Sequence, residues 1–172
     1  MTENAYRKLS SLLVSSLALV YFCGATGLSA MQEQGRVCGD PTAKCSTSLP
    51  FESYDLPFAI KGKPEFREYR SDLFYAVVLK SVKAEKGEGD CVFIAEEERL
   101  GVQRLLPKNK VFASHMVCPE SQILYDGVNS DYNILAVYGG ATKSEAVKVL
   151  QQVKSRYPDA NIRRMRVIKS IT

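Results

Sequence analysis

The stretch "YNILAVYGGATKSEAVKVLQQVKSRYPDANIRRMRVI", residues 132–168, constrains the fold more than any other part of the chain. It passes from an apolar segment through Gly139 and Gly140 to Thr142, then to a helical pattern, Pro158 and a second apolar segment. Thr142 and Glu145 have the Thr-x-x-Glu spacing of a capping box, in which each side chain satisfies the other's orphan backbone amide, so a helix starts there. Ala146, Val149 or Leu150, Val153 and Tyr157 recur at helical spacing and form the buried stripe, while Lys143, Lys148, Gln151, Gln152 and Lys154 face water. Pro158 closes the helix, and residues 132–138 and 162–168 read as strands.

The preceding part of the chain repeats that plan. Residues 73–82 (LFYAVVLKSV) are rich in β-branched and aromatic side chains and read as a strand followed by a loop. After a short apolar run at 91–95, Glu96, Glu97 and Glu98 favour a helix N-terminus through the backbone dipole, and Pro107 ends that helix. Residues 111–117 (VFASHMV) read as the next strand and 119–131 as a connection. Two strand-helix-strand halves in succession predict an α+β fold of ferredoxin-like or RNP-like type, β-α-β-β-α-β. That arrangement is a four-stranded antiparallel sheet with both helices on one face and the other face open.

Length suits this reading, since 172 residues accommodate one ordinary domain plus flanking segments. Residues 31–71 carry Pro41, Pro50, Pro57 and Pro64 with no sustained period and read as an extended preface, leaving 72–172 as the domain. In residues 1–30, Arg7 and Lys8 precede an uncharged stretch with an apolar centre, which is the layout of a secretory signal. Gly27, Ser29 and Ala30 suggest cleavage near position 30, but the uncharged stretch exceeds the roughly 20 residues that span a bilayer, so an uncleaved anchor is the alternative. Either way the remainder is expected to be periplasmic or secreted, with membrane contact only through an uncleaved N-terminal segment.

Cys23 follows Tyr21 and Phe22 rather than small residues, which argues against lipidation. Cys38, Cys45, Cys91 and Cys118 then remain as an even set in an oxidising compartment, and two disulfides are expected. In the split β-α-β arrangement Cys91 and Cys118 reach one sheet edge, so they pair, leaving Cys38 to pair with Cys45. Zinc is disfavoured because no Cys-x-x-Cys occurs and His115 is the single histidine.

Charge and chemistry narrow the functional classes. A net charge of +4 from 23 basic and 19 acidic residues does not imply dedicated nucleic-acid binding. The cluster Arg163, Arg164, Arg166 and Lys169 reads as a solvated strand edge. His115 stands alone, Ser114 beside it points to the opposite strand face, and the acidic trio is explained as a helix start. No catalytic residue, metal or cofactor is therefore assigned.

Over residues 72–168 the chain resembles the SPOR (sporulation-related repeat) domain, whose two halves each run strand, helix, strand. The resemblance is carried mainly by the stretch quoted above, taken as the second half. It implies a non-catalytic envelope protein that binds peptidoglycan glycan, especially strands stripped of peptide, on the open sheet face. Strand alternation places candidates there. If Leu135 and Val137 face the helices, Tyr132 and Tyr138 lie on the open face; if Met165 and Val167 are core, Arg164 and Arg166 do too. Phe74, Val78 and Lys80 follow on the first strand. Rings and guanidinium groups suit sugars. The opposing reading has the preface cover this face, Phe74 act in packing and Lys80 be merely solvated. The chain would then serve as a secreted or periplasmic protein-protein scaffold, with envelope proteins as partners.

Overall fold

The structure is a computed structural model and describes residues 35–60, 62–64, 66–83, 94–115 and 121–171. Its elements in chain order are β1 (Glu68–Arg70), β2 (Phe74–Lys83), α1 (Glu96–Leu105), β3 (Val111–Ala113), β4 (Ile123–Asp126), β5 (Tyr132–Gly140), α2 (Lys143–Val153) and β6 (Asn161–Ser170). The chain is thus α+β, and the described residues fall in one compact unit.

The capping box forms as the sequence predicts. Thr142 Oγ1 accepts from the Glu145 amide at 3.3 Å, and Glu145 Oε2 accepts from the Thr142 amide at 2.9 Å. Ala146, Val149 and Val153 are the buried stripe of α2. At the start of α1, Ala95 supplies no side-chain cap, and the three glutamates fill the first turn. Carboxylates there offset the exposed positive end of the helix dipole.

The expected four-stranded sheet is replaced by a six-stranded antiparallel one that curls around β6. The order β6-β2-β5-β3 accounts for the strands of the two halves. Residues 68–70 and 123–126, expected as preface and connection, add two more by pairing with the far half of β6, at Ile168–Ser170 and Arg166–Lys169. Strand β6 can serve three partners because it is ten residues long and its first half alone satisfies β2, through Phe74↔Met165 to Val78↔Asn161.

Strand alternation divides the interior into two cores. On one face Val77, Leu79, Leu135, Val137, Val111 and Ala113 meet Val102 of α1 and Val149 and Val153 of α2. On the other, Phe74, Ala76, Val78, Ile134, Ala136, Phe112, Met165 and Val167 meet Val37, Leu56 and Phe58 of the N-terminal segment and Ile123 and Tyr125 of β4. The face expected to be open is therefore covered over much of its area. Residues 35–60 cross it as a strap, for which Leu56 and Phe58, both at 0% exposure, supply the anchors. Burying each stabilises by about 1.5–3 kcal/mol.

Backbone bonds hold the strap at its start. The Gly35 amide donates to the Arg70 carbonyl at 2.9 Å, the Asp72 amide to the Gly35 carbonyl at 2.7 Å, and the Cys38 amide to the Pro57 carbonyl at 2.9 Å. Cys38 and Cys45 are disulfide-bonded with Cα atoms 5.6 Å apart, closing a local loop as expected. Cys91 and Cys118 lie outside the described residues, as does the 1–30 segment. Among the described residues no helix is long and apolar enough to cross a membrane.

Candidate functional site

The strap stops short of one end of the sheet. There a groove of about 330 Å³ opens between the sheet face and the β4–β5 turn. Val78 of β2 and Ile134 of β5, both buried, form its apolar floor. Gly127, Val128 and Asn129 form one wall, while Ser81, Tyr132, Asn161 and Arg163 supply hydroxyl, phenol, amide and guanidinium groups. No strap residue lines it. A volume near 300 Å³ lies at the small end of ligand sites, and an apolar floor with a few convergent polar groups is their usual make-up.

The wall is stiff for local reasons. Gly127 has φ +100°, and a Cβ there would stand 2.4 Å from the Arg164 carbonyl oxygen, so only glycine lets the turn approach β6 this closely. The Asn129 carbonyl accepts from the Tyr132 amide at 3.1 Å, and its side-chain oxygen accepts from the Asp131 amide at 2.9 Å. Across the groove, Arg163 Nε donates to Asn161 Oδ1 at 2.9 Å. These two side chains, two apart on β6, share a face and brace one another.

The predicted site residues are dispersed. Tyr132 and Tyr138 do share the face away from the helices, but only Tyr132 reaches the groove. Tyr138 lies under the strap, 5.7 Å from Phe74 between ring centroids, and a methyl group at Gly39 would stand 2.0 Å from its ring. Burial raises the Tyr138 phenol pKa. Phe74 is 1% exposed and is a core residue. Arg164 and Arg166 are on the opposite face, a correction with a simple cause. Met165 and Val167 are core, but of the core beneath the strap, so alternation turns their neighbours toward the helix side.

Lys80 moves for a different reason. The β2–β5 register shifts between Val78 and Lys80, so Leu79 is an extra residue on β2 and parity inverts after it. Lys80 consequently faces α1, where its Nζ meets Glu98 Oε2 at 2.9 Å. The same bulge turns Ser81 into the groove. Lys169, expected to be solvated, is 5% exposed, with its ammonium 5.2 Å from the centre of the Phe51 ring.

A second group of polar side chains lies where the strap meets α1, β3 and β4. Arg99 Nη1 donates to the Val111 carbonyl at 3.1 Å and its Nε to Glu96 Oε2 at 2.7 Å, and this bond holds the Glu96 pKa low. Lys110 Nζ donates to the Ser53 carbonyl at 2.7 Å, and burial lowers its pKa. Asp55 Oδ2 accepts from the Glu52 amide at 2.8 Å, with its pKa raised by burial. Tyr125 Oη accepts from the Leu56 amide at 3.2 Å. Lys110 and Tyr125 bond the strap's backbone from outside it, so they act as its clasp. His115, the single histidine, lies against Tyr54 with ring centroids 4.0 Å apart and the planes tilted by 37°, and burial lowers its pKa. Among the described residues no three His, Cys, Asp or Glu side chains converge to hold a metal ion.

Sequence reasoning found Tyr132 but not the groove's Ser81, Asn129, Asn161 or Arg163 as site residues. One signal was present: the Gly127-Val128-Asn129 stretch reads as a tight turn. No protein-family model, curated protein or solved structure matches the chain.

Proposed function

We propose that this chain is a non-catalytic cell-envelope module that binds peptidoglycan glycan, with the ligand seated in the groove beside Tyr132. The observation that carries the reading is the groove itself, the part of the strap-side sheet face that keeps an aromatic ring, an apolar floor and hydrogen-bonding groups together. A pyranose ring offers apolar C–H faces to such a floor and ring, and hydroxyls to serine, asparagine and arginine. The resemblance of residues 72–168 to the SPOR domain supports the same class of ligand, with the site confined to one end of the sheet. The Cys38–Cys45 disulfide is compatible with the extracytoplasmic location this function requires.

Sedimentation with purified, peptide-stripped sacculi tests the proposal. The parent should sediment, and Tyr132→Ala should weaken binding at least tenfold, equivalent to about 1.4 kcal/mol, with an unchanged melting curve. Undiminished binding would remove the site from the groove. A second reading, a protein-protein scaffold, is favoured by the strap's coverage of the sheet, which leaves little open face for a long polymer. Absence of sacculus binding in the parent would leave that reading in possession.

A further inference from the structure

We infer that the groove selects a glycan bearing a free carboxylate, which Arg163 receives. This rests on the glycan reading above and adds the charge class of the sugar. Arg163 is the one charged side chain among those lining the groove. Its Nε is committed to Asn161 Oδ1 at 2.9 Å, which fixes the guanidinium plane and leaves the two Nη groups for another acceptor. Among the described residues Arg163 forms no ion pair. The register gives it no polar neighbour across the strands either, since Arg163 stands opposite Ala76, and Asn161 opposite Val78.

A neutral sugar in this groove would draw water from the guanidinium and return only hydroxyl acceptors. A carboxylate returns charge-assisted bonds, which are shorter and about twice as strong as neutral ones, in the planar two-point geometry that a guanidinium favours. The remaining lining suits the rest of an acidic sugar: Tyr132, Val78 and Ile134 for the ring faces, Ser81 and Asn129 for its hydroxyls. Asn161 is then a positioning residue, acting through Arg163.

The test uses the full mature chain and two probes made from one preparation: peptide-stripped glycan fragments with free carboxylates, and the same fragments with the carboxylates reduced to alcohols. The carboxylated probe should bind about tenfold tighter, a difference equivalent to about 1.4 kcal/mol, and the gap should narrow with added salt. Arg163→Gln should lower carboxylated-probe binding to the level of the reduced probe. Asn161→Ala should reduce the gap although the positive charge is retained, a result that bulk charge attraction does not give. Because Arg163 and Asn161 are exposed, the melting curves of both variants should follow the parent's. Equal binding of the two probes overturns the inference and leaves the groove reading standing if Tyr132→Ala weakens both. Binding that neither Tyr132→Ala nor Arg163→Gln alters, or no binding of either probe, overturns both.

Discussion

At Gly39 the strap passes directly against the Tyr138 ring, and Gly39→Ala should loosen it. A Cβ at this position would lie 2.0 Å and 2.1 Å from Cδ1 and Cε1 of Tyr138. Carbon atoms rest at about 3.5 Å or more, so ring and strap must separate by about 1.5 Å. The ring has little room to retreat, with Phe74 at 5.7 Å and its own backbone carbonyl accepting from Asn109 Nδ2 at 3.0 Å. The strap must give instead, straining the 2.7 Å bond from the Lys110 amide to the Gly39 carbonyl. Overpacking of this kind costs about 1–3 kcal/mol and a lost hydrogen bond about 1 kcal/mol, so a loss of about 2 kcal/mol is expected. For a unit of this size that lowers Tm by about 5 °C. Urea denaturation followed by circular dichroism and tyrosine fluorescence reads it cleanly, because the chain has nine tyrosines and no tryptophan. Combining Gly39→Ala with Tyr138→Ala should recover most of the glycine variant's loss, since the obstructing ring is gone. A Gly39→Ala protein within about 0.5 kcal/mol of the parent would refute the close contact of strap and ring.

Three further outcomes follow from single side chains. Ser71 Oγ accepts from the buried Val167 amide at 2.9 Å, so Ser71→Ala should destabilise by about 1–3 kcal/mol in the same urea assay by orphaning that donor. Thr142→Ala removes the capping box of α2 and should cost about 1 kcal/mol, with faster amide hydrogen exchange in the first turn of that helix. His115 has its pKa lowered by burial in the folded chain, so its stabilising contribution is present above the ordinary imidazole value of about 6.5 and is lost as pH falls below it. The stability difference between parent and His115→Gln should therefore shift against the parent between about pH 7 and pH 5, and a difference flat with pH would refute the burial argument.

What the sequence revealed was what short-range chemistry decides. The Thr142–Glu145 box, the acidic start of α1 and the apolar runs of β2, β3, β5 and β6 are local patterns, and each marks its element. Strand β4 was hidden because Ile123–Asp126 is four residues long, too short for alternation to stand out, and β1 is shorter still. The strap was hidden differently: Val37, Leu56 and Phe58 have no common period because their burial is imposed by the sheet they cross. The candidate site suffered most from parity. One extra residue at Leu79 sent Lys80 to the helices and Ser81 to the groove, and a second core beneath the strap reversed the expected side of Arg164 and Arg166. Neither event has a signature in a single sequence, since a bulge and a covering segment are both settled by distant partners.

Strand β6 follows every other element in the chain and is also the seam to which β1, β2 and β4 are all joined. Its ladders link positions far apart in sequence, such as Glu68 with Ser170 and Phe74 with Met165. Contacts of such long range require loop closure before they stabilise anything, which slows folding. The sheet therefore cannot close during synthesis until residues 161–170 have emerged, and β1, β2 and β4 wait for that partner in the meantime.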